Sequence, residues 1–398
     1  MSRDAGSRHL RIPGPTPVPE RIRRAFLRPL VDHRGPAGRA LTRRVLAGLQ
    51  RLLGTRHPVV LYPASGTGGW QAALVNTLAP GDRILVPETG HFALAWAALA
   101  RECHLEPVIL EGDWRTPADP ERIARALAAD REGRIRAVCL LHNETSTGVT
   151  SDVRAVRAAL DRVGHPALLM VDVISSLAIA PYAHDEWGVD VTVGAVQKGL
   201  MLPPGLAFLA VGPRARAARR RHARLPRGYF DWERMIEANA EGLFPYTPAT
   251  AMLFALEEAL RLLEEEGLER VFARHARLAA ATRAAVAAWG LEVQCRDPRA
   301  HSAALTAVRL PPGHDAEAVR AHLRARHDIA LGGGLGRLAG RVLRIGHLGD
   351  LDGVTLLGLL AGIETGLGAC GVPLRGSGLP AAMAVLAAEE TDAETSPS

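Results

Sequence analysis

The chain has 398 residues, of which 47% are hydrophobic and 23% charged, and its formal net charge is +6 at pH 7. This length allows one large domain and a smaller one, and the composition is that of a globular enzyme rather than of a disordered or fibrous protein. The positive excess is mild, and the arginines between positions 214 and 224 have no aromatic residues among them. We therefore expect a solvated helix face there and no nucleic-acid partner.

Targeting and metal-binding signals are lacking. The first residues do not contain the apolar stretch of a secretory signal, and no apolar run approaches the roughly 20 residues that cross a membrane. The four cysteines are scattered without a CxxC pair, and no HxxxH or HExxH spacing occurs. We therefore expect a cytoplasmic protein with no membrane partner, no disulfide framework and no metal site.

In the first half of the chain, short apolar runs alternate with amphipathic stretches, which predicts βαβ units and a mainly parallel sheet. The predicted strands span residues 59–62, 83–87, 106–110, 137–141, 167–172, 191–193 and 207–211. The predicted helices between them span residues 70–78, 92–102, 120–129 and 153–163.

The second half begins with a predicted loop at 225–249 and continues with long helices at 250–266 and 268–289. A smaller α+β unit follows; its strands lie near 291–294, 303–309 and 342–345, its helix at 316–326 and a final helix at 351–370. The glycine-rich stretch 332–336 is predicted as a turn, either static or part of a mobile substrate loop.

The fold class is therefore α/β, with a seven-stranded, mainly parallel sheet in a large domain and a smaller C-terminal α+β domain. The predicted divisions are an extended N-terminal segment at 1–20, the large domain at 21–265, the small domain at 266–388 and a disordered tail at 389–398.

Lys198 is the only lysine among the 48 lysines and arginines. Arginine serves any solvated positive charge but stays protonated, whereas a buried lysine amine can become neutral and act as a nucleophile or base. The alternative interpretation is that Lys198 is a surface residue that compositional drift has left in place.

Asp172 ends a buried apolar strand, and Lys198 follows a strand about two dozen residues later. An aspartate at such a place often only caps a turn. Together, however, the two residues fit pyridoxal phosphate, because the lysine binds the cofactor aldehyde as a Schiff base and the aspartate keeps the ring nitrogen protonated.

The segment Ser65-Gly-Thr-Gly-Gly69 lies between a predicted strand and helix. Its backbone N–H groups, its hydroxyl groups and the helix N-terminus can together bind a phosphate dianion. The motif matches neither a P-loop nor GxGxxG, and most such loops are simple turns. It indicates a phosphate site only beside Asp172 and Lys198.

Several motifs, in order along the chain, resemble those of class V, fold-type I aminotransferases that depend on pyridoxal 5'-phosphate, and most of all the serine–glyoxylate and alanine–glyoxylate group. The resemblance covers about residues 10–388. The motifs are PGP at 13–15, DHRGP at 32–36, NETSTGV at 143–149, DVISS at 172–176, QKG at 197–199, MLPPGL at 201–206, FPYTP at 244–248 and LRIGHLG at 343–349.

The resemblance implies a role for each matching residue. Lys198 forms the Schiff base, Asp172 contacts the ring nitrogen and Phe92 stacks on the ring. The phosphate is held by Thr67, Gly68, Gly69 and Gln197 of one subunit and by Thr247, with Tyr246, of its neighbour, so that a homodimer shares its active sites. The segment with Asn143 and Thr145 approaches the phenolic oxygen of the cofactor.

For the substrate, the resemblance implies that Arg344 binds the α-carboxylate, since a guanidinium matches a carboxylate bidentately. A buried ion pair is the alternative for Arg344, and His33 is either part of the substrate entrance or structural. Two positions depart from the family pattern. Val196 stands where many members have a serine, which removes one phosphate hydrogen bond, and Phe244 stands where relatives have an aromatic hydroxyl.

The predicted activity is ping-pong transfer of an amino group from a small L-amino acid, first serine and then alanine, to glyoxylate or another small 2-oxo acid. A transaminase for pyridoxamine, ureidoglycine or an aminophosphonate is the main alternative. A regulatory protein that binds pyridoxal phosphate without turnover is a remote alternative. A cysteine desulfurase is disfavoured because Gln197 precedes the lysine and no cysteine lies in 332–336.

Overall fold

The computed structural model describes residues 9–394, which form strands β1–β14 and helices α1–α13. The strands are β1 His9–Arg11, β2 Val59–Tyr62, β3 Arg83–Pro87, β4 Glu106–Leu110, β5 Ile135–Leu141, β6 Asn143–Glu144, β7 Val149–Thr150, β8 Leu168–Asp172, β9 Val191–Ala195, β10 Ala207–Val211, β11 Glu292–Val293, β12 Leu305–Arg309, β13 Ile329–Gly333 and β14 Val342–Gly346. The helices are α1 Glu20–Phe26, α2 Pro36–Leu53, α3 Gly66–Thr77, α4 His91–Glu102, α5 Pro120–Ala129, α6 Val153–Val163, α7 Pro213–Arg221, α8 Trp232–Ala240, α9 Thr250–Glu266, α10 Leu268–Ala288, α11 Ala316–His327, α12 Gly353–Ala369 and α13 Leu379–Glu394.

The seven predicted strands of the first half form one sheet, in the order β2-β10-β9-β8-β5-β3-β4. All neighbours are parallel except β10, which is antiparallel to both β2 and β9. Strands β8, β9 and β10 are buried along their whole length, as expected when helices cover both faces of a sheet. The predicted α/β class and the mainly parallel seven-stranded sheet are confirmed.

A second sheet, in the order β1-β13-β14-β12-β11, forms the core of the small domain with α10–α13. The N-terminal strand β1 pairs in parallel with β13, so residues 9–11 belong to this sheet. The predicted division at 265/266 falls near the junction of α9 and α10, where Gly267 has a φ of +83°.

Three local predictions were wrong. Helix α3 begins at Gly66 rather than at residue 70, because a glycine at position 69 allows the helix to pack against Val193; a Cβ there would lie 2.7 Å from Val193 Cγ1. Helix α8 interrupts the predicted loop 225–249, with an N-terminus capped by the Asp231 side chain. Strand β13 includes Gly332 and Gly333, whose pairing with β14 outweighs the weak strand propensity of glycine.

The C-terminal region and the arginine-rich helix also differ from expectation. Helix α13 follows the helix predicted to be final and covers part of the predicted tail, of which 395–398 lie outside the described residues. In α7, three arginines form ion pairs instead of being simply solvated. These pairs are Arg214–Asp190, Arg216–Glu233 and Arg219–Asp231. Within residues 9–394, no helix has both the length and the apolar character to cross a membrane.

Candidate active site

Lys198 lies three residues beyond β9, at the carboxyl end of the large sheet. Its side chain is half-buried, and its Nζ donates a hydrogen bond to the carbonyl oxygen of Pro13. Burial lowers the pKa of Lys198 to about 8; the positive charge of Arg344 acts in the same direction and Asp172 opposes it. The amine therefore loses its proton more readily than a solvated lysine, as a nucleophile or base must.

The N-terminal segment 13–16 lies across Lys198. Gly14 has a φ of +106°, and a Cβ at this position would lie 2.6 Å from Lys198 Cε. Thr16 fixes the segment: its N–H donates to the Gln197 carbonyl at 3.2 Å and its Oγ1 to the Lys198 carbonyl at 3.4 Å. The motif PGP at 13–15 thus forms one wall around the lysine amine.

We expect Gly14→Ala to impair the lysine site. The methyl group would collide with the Lys198 side chain, and the backbone conformation is one that alanine rarely adopts. The expected results are a melting temperature lower by about 5 °C and an affinity for pyridoxal phosphate reduced about tenfold. Thermal unfolding and equilibrium titration with pyridoxal phosphate measure the two effects. Gly133→Ala is the control, since Gly133 also has a positive φ, +60°, but has open space around its Cβ position. Equal losses of affinity in both variants would contradict the steric argument.

Asp172 ends β8, the strand next to β9, and its carboxylate is buried. Oδ2 accepts a hydrogen bond from Trp70 Nε1 at 2.6 Å, and Oδ1 accepts one from the Ile174 N–H at 2.7 Å. Burial raises the pKa of Asp172 to about 7 although both hydrogen bonds favour the charged form. A cationic ring nitrogen is a suitable partner for such a carboxylate, because it would stabilise the ionised state.

Trp70 is a site residue that the sequence analysis missed. It lies in the first turns of α3 and its ring stacks on Trp96 of α4, with ring centroids 5.5 Å apart. The stack fixes the indole that holds Asp172. The available signal was the position of Trp70 directly after the glycines of the segment 65–69, but sequence spacing does not tell which strand a tryptophan N–H faces.

The residues predicted to bind phosphate lie at the N-terminus of α3. The first intrahelical bond runs from the Gly69 N–H to Ser65 O, so the N–H groups of the preceding three residues have no partner within the helix. Thr67 is exposed, and Gly68 lies against the ring of Phe230, 3.4 Å from its Cβ position. The helix end is therefore open and electropositive, as an anion site requires.

Gln197 adds an observation in favour of a bound group. Its Oε1 is buried and has no hydrogen-bond partner among residues 9–394. Its neighbour Val196 is fully buried in the apolar core, so the residue that replaces the family's serine offers no hydroxyl. A polar atom buried without a partner is costly, which is consistent with a ligand next to Gln197.

Asn143 and Thr145 meet at the hydroxyl group of Ser175. Ser175 Oγ accepts hydrogen bonds from Asn143 Nδ2 at 2.8 Å and from Thr145 Oγ1 at 2.9 Å, and it donates to the Asn143 carbonyl at 2.9 Å. Ser175 follows Asp172 by three residues. The network therefore places Asn143 and Thr145 near the C-terminal end of β8, where Asp172 lies.

Glu144, also missed, organises the helix that carries Phe92. Its fully buried carboxylate accepts hydrogen bonds from the N–H groups of Phe92 and Ala93, both at 3.1 Å, and from Ser146. Burial raises the pKa of Glu144, and these hydrogen bonds oppose the shift. The residue fixes the start of α4, where Phe92 is half-buried. No pattern in the sequence identifies it, because its carboxylate acts on N–H groups that lie 51 and 52 residues earlier in the chain.

Arg344 lies in the middle of β14 and bridges the two domains. Nε donates to Gly333 O at 2.7 Å in the small sheet, and Nη1 donates to Thr145 O at 3.0 Å in the large domain. Burial lowers the pKa of Arg344 to about 10, an effect that Glu144 opposes. Among residues 9–394, Nη2 forms neither a hydrogen bond nor an ion pair, so the predicted alternative of a buried ion pair is not observed.

Three predicted residues do not join this cluster within one chain. His33 lies in the turn between α1 and α2, and its buried Nε2 has no partner in the described region. Tyr246 stacks on Tyr229, with ring centroids 4.6 Å apart, and Thr247 is exposed. Their predicted roles concern the substrate entrance and the neighbouring subunit, and they stay predictions.

The geometry defines a class of protein: an α/β fold of type I with a lysine and an aspartate at the ends of adjacent strands, and beside them a helix whose first N–H groups have no partner within the helix. The family model for class-V aminotransferases matches residues 39–339. The chain belongs to this family and is an enzyme of the transaminase type.

Known proteins are similar to this chain over nearly its whole length. It is 46% identical to the serine–glyoxylate aminotransferase of Methylorubrum extorquens, over 97% of each chain. It is 43% identical to the L-aspartate–glyoxylate aminotransferase of Paracoccus denitrificans, over 93% of this chain and 94% of the relative. Among solved structures, the ureidoglycine–glyoxylate aminotransferase of Bacillus subtilis superposes with a TM-score of 0.89 at 30% identity, over 97% of this chain and 99% of that one.

Proposed function

We propose that the protein is a pyridoxal-phosphate-dependent aminotransferase that moves the amino group of L-serine to glyoxylate. The observation that carries the proposal is the cluster itself. A lysine with a lowered pKa and a buried aspartate lie at one end of the large sheet. Arg344 of the small sheet reaches the same region through its bond to Thr145 O, and its Nη2 has no partner among residues 9–394. The whole-length similarity to glyoxylate aminotransferases supports the choice of acceptor.

The residues fit the cofactor. The N-terminus of α3, with Thr67, Gly68 and Gly69, would hold the phosphate together with Gln197, whose buried Oε1 lacks a partner in residues 9–394. Phe92 would flank the ring, and Asn143 and Thr145 would approach its phenolic oxygen. Bound there, pyridoxal phosphate supplies the electron sink for a carbanion.

The protein's own groups have distinct tasks. Lys198, as a neutral amine, takes the proton from the Cα of the amino donor, and in the second half-reaction its ammonium delivers a proton to the Cα of the new amino acid. Asp172 would keep a positive charge on the ring nitrogen, and Arg344 would orient the carboxylate of each substrate in turn. Because donor and acceptor use one carboxylate site, the reaction follows a ping-pong order.

The surroundings of Arg344 favour a donor with one carboxylate. A donor such as L-aspartate needs a second positive group for its second carboxylate. Arg320 acts electrostatically on Arg344, but it is paired with Glu317 and donates its Nε to Leu331 O. L-Serine is therefore our first choice and L-alanine our second. The aspartate-specific relative, at 43% identity, makes L-aspartate the competing donor to test.

We further propose a homodimer in the cytoplasm. Leu27 and Leu30, 78% and 73% exposed, provide apolar surface near the turn that contains His33. Thr247 is exposed, as a residue that reaches the site of a neighbouring subunit would be. The four cysteines are free thiols, which is compatible with a reducing compartment.

The test is the absorbance spectrum of the purified protein during successive additions of L-serine and glyoxylate. We expect a band at about 420 nm that falls with serine and returns with glyoxylate. Parallel titrations with L-alanine, L-aspartate, pyridoxamine and ureidoglycine identify a different donor. A protein that shows no band even after pyridoxal phosphate is supplied would contradict the proposal.

A further inference from the structure

The connection between β13 and β14, residues 334–341 and here named the hairpin loop, reaches from the small sheet to the large domain. Its Leu338 is buried with Trp114 in an apolar cluster that combines residues of both domains. Gly336 has a φ of +54°, and a Cβ there would lie 3.1 Å from the Trp114 ring and 3.5 Å from His91 Nδ1. The hairpin loop therefore packs directly against Trp114, beside the start of α4.

Arg337 covers the solvent side of this contact. Its guanidinium carbon lies 4.3 Å from the centroid of the Trp114 ring, and Nη2 donates to the Gly112 carbonyl at 2.7 Å. Glu88 lies 3.7 Å from the same guanidinium and accepts a hydrogen bond from Trp114 Nε1 at 2.8 Å. We call Glu88, Gly112, Trp114 and Arg337 the Arg337 clamp. It joins a small-domain loop to a turn of the large domain.

The clamp is connected to the substrate arginine through one short stretch of backbone. Gly333, whose carbonyl accepts the hydrogen bond from Arg344 Nε, directly precedes the hairpin loop. Arg344 Nη1 is bound to Thr145 O on the other domain. The orientation of the guanidinium thus depends on how the end of β13 lies relative to Thr145. A displaced hairpin loop would disturb the first of these bonds and, with it, the direction of Nη2.

We propose that Arg337 is a positioning residue for Arg344: the Arg337 clamp fixes the hairpin loop on the large domain, so that Nη2 of Arg344 is held ready for the carboxylate of the substrate. Nothing in this role requires Arg337 to touch the substrate. The choice of an amino acid as ligand rests on the proposed aminotransferase function. Misplacing a group that orients substrate weakens binding and reaction even when the chemical groups remain intact.

The test compares two variants of the cofactor-loaded enzyme. Arg337→Met removes the guanidinium but keeps an apolar stem over Trp114. Arg341→Met is the matched control: it lies in the same hairpin loop and changes the same charge, and the Arg341 side chain is exposed without a hydrogen bond or ion pair in the described part of the chain. For Arg337→Met we expect the KM for L-serine to rise about tenfold, equivalent to about 1.4 kcal/mol, with kcat changed less than about twofold.

A second readout needs no turnover. Propionate presents a carboxylate but no amino group, and calorimetry with the loaded enzyme should show its affinity falling by about the same tenfold factor in Arg337→Met and not in Arg341→Met. Because Arg337 is half-exposed, melting temperatures of the two variants should agree within about 2 °C. A merely structural role would lower stability without this selective loss of carboxylate affinity.

Glu88→Gln provides an independent perturbation. The amide oxygen can still accept from Trp114 Nε1, but the charge that faces Arg337 is gone. We expect a smaller loss of propionate affinity, and a double variant that loses less than the sum of the two single changes. Identical propionate affinities in wild type, Arg337→Met and Arg341→Met would overturn the positioning role. If the wild type fails to react with every amino donor, the proposed function fails, but the propionate measurement still decides the role of Arg337.

Discussion

Replacing Lys198 by alanine is expected to abolish transamination, with a loss on the order of 10⁴-fold in kcat. The variant lacks both the nucleophile for the cofactor aldehyde and the base for the Cα proton. Within the cluster no other group can substitute, because Asp172 is held by Trp70 and Ile174, and Arg344 does not lose its proton at neutral pH. Steady-state assays with L-serine and glyoxylate measure the loss.

The single lysine allows a simple control for the Lys198→Ala experiment. Lys198 is the only lysine, so borohydride reduction of the loaded wild type can attach the cofactor only to Lys198 or to the N-terminal amine. Peptide mass spectrometry should find the label on Lys198 and none in Lys198→Ala. Residual activity in the variant above about 1% of wild type would show that another base serves, since a positioned base contributes at least about 10²-fold.

Local patterns of apolar residues predicted most of the strands of the large domain. The apolar runs of β2, β3, β4 and β10 were located to the residue, because each is a short and mainly apolar run. Where the prediction failed, distant contacts decide the local structure. The strand β13 exists because Gly332 and Gly333 pair with β14, and the first turn of α3 exists because glycines pack there against Ile174 and Val193.

The residues of the candidate site also divide into those that local sequence patterns identify and those that depend on distant contacts. Lys198 and Asp172 are identifiable from residue type and position at or just after strand ends, and Arg344 from its place in an apolar strand, of which it is the middle residue. The structure brings the three close enough to influence one another's charge. Trp70, Glu144 and the Pro13 carbonyl act across 51 to 185 residues of chain, and no periodicity encodes such contacts. The proposed role of Thr247 in the site of a neighbouring subunit concerns contacts between two chains, and the structure of one chain does not contain them.

The second large effect is expected for Asp172→Asn. The amide cannot balance a positive ring nitrogen, so we expect kcat to fall on the order of 10³-fold. The control is Asp190→Asn, which also replaces a buried carboxylate, one that pairs with Arg214 at the opposite end of β9. It should lose stability but keep most of its kcat. Equal losses of kcat in the two variants would show that the effect of Asp172 is structural rather than electrostatic.

The same substitution should also change how stability depends on pH when the cofactor has been removed. The pKa of Asp172 is about 7 in the folded protein, above the ordinary value of 3.8, so between these values only the folded state keeps the proton. Its contribution to the free energy of unfolding is fully present below about pH 4, decreases as the pH rises to about 7, and is then constant. The total decrease is at most about 4 kcal/mol, and Asp172→Asn should remove it.

At pH 8 the stripped Asp172→Asn variant is therefore expected to be more stable than the stripped wild type, by about 2 kcal/mol once the mismatch of its NH₂ group with Trp70 or Ile174 is subtracted. Adding pyridoxal phosphate should reverse the order, because a cationic partner lowers the pKa of Asp172 and stabilises the ionised wild type but not the amide. Denaturant unfolding at pH 5 and pH 8, with and without the cofactor, measures all four differences. If the stripped wild type is the more stable protein at pH 8, burial does not dominate the pKa of Asp172, and its carboxylate is already stabilised by Trp70 and Ile174 before any cofactor arrives.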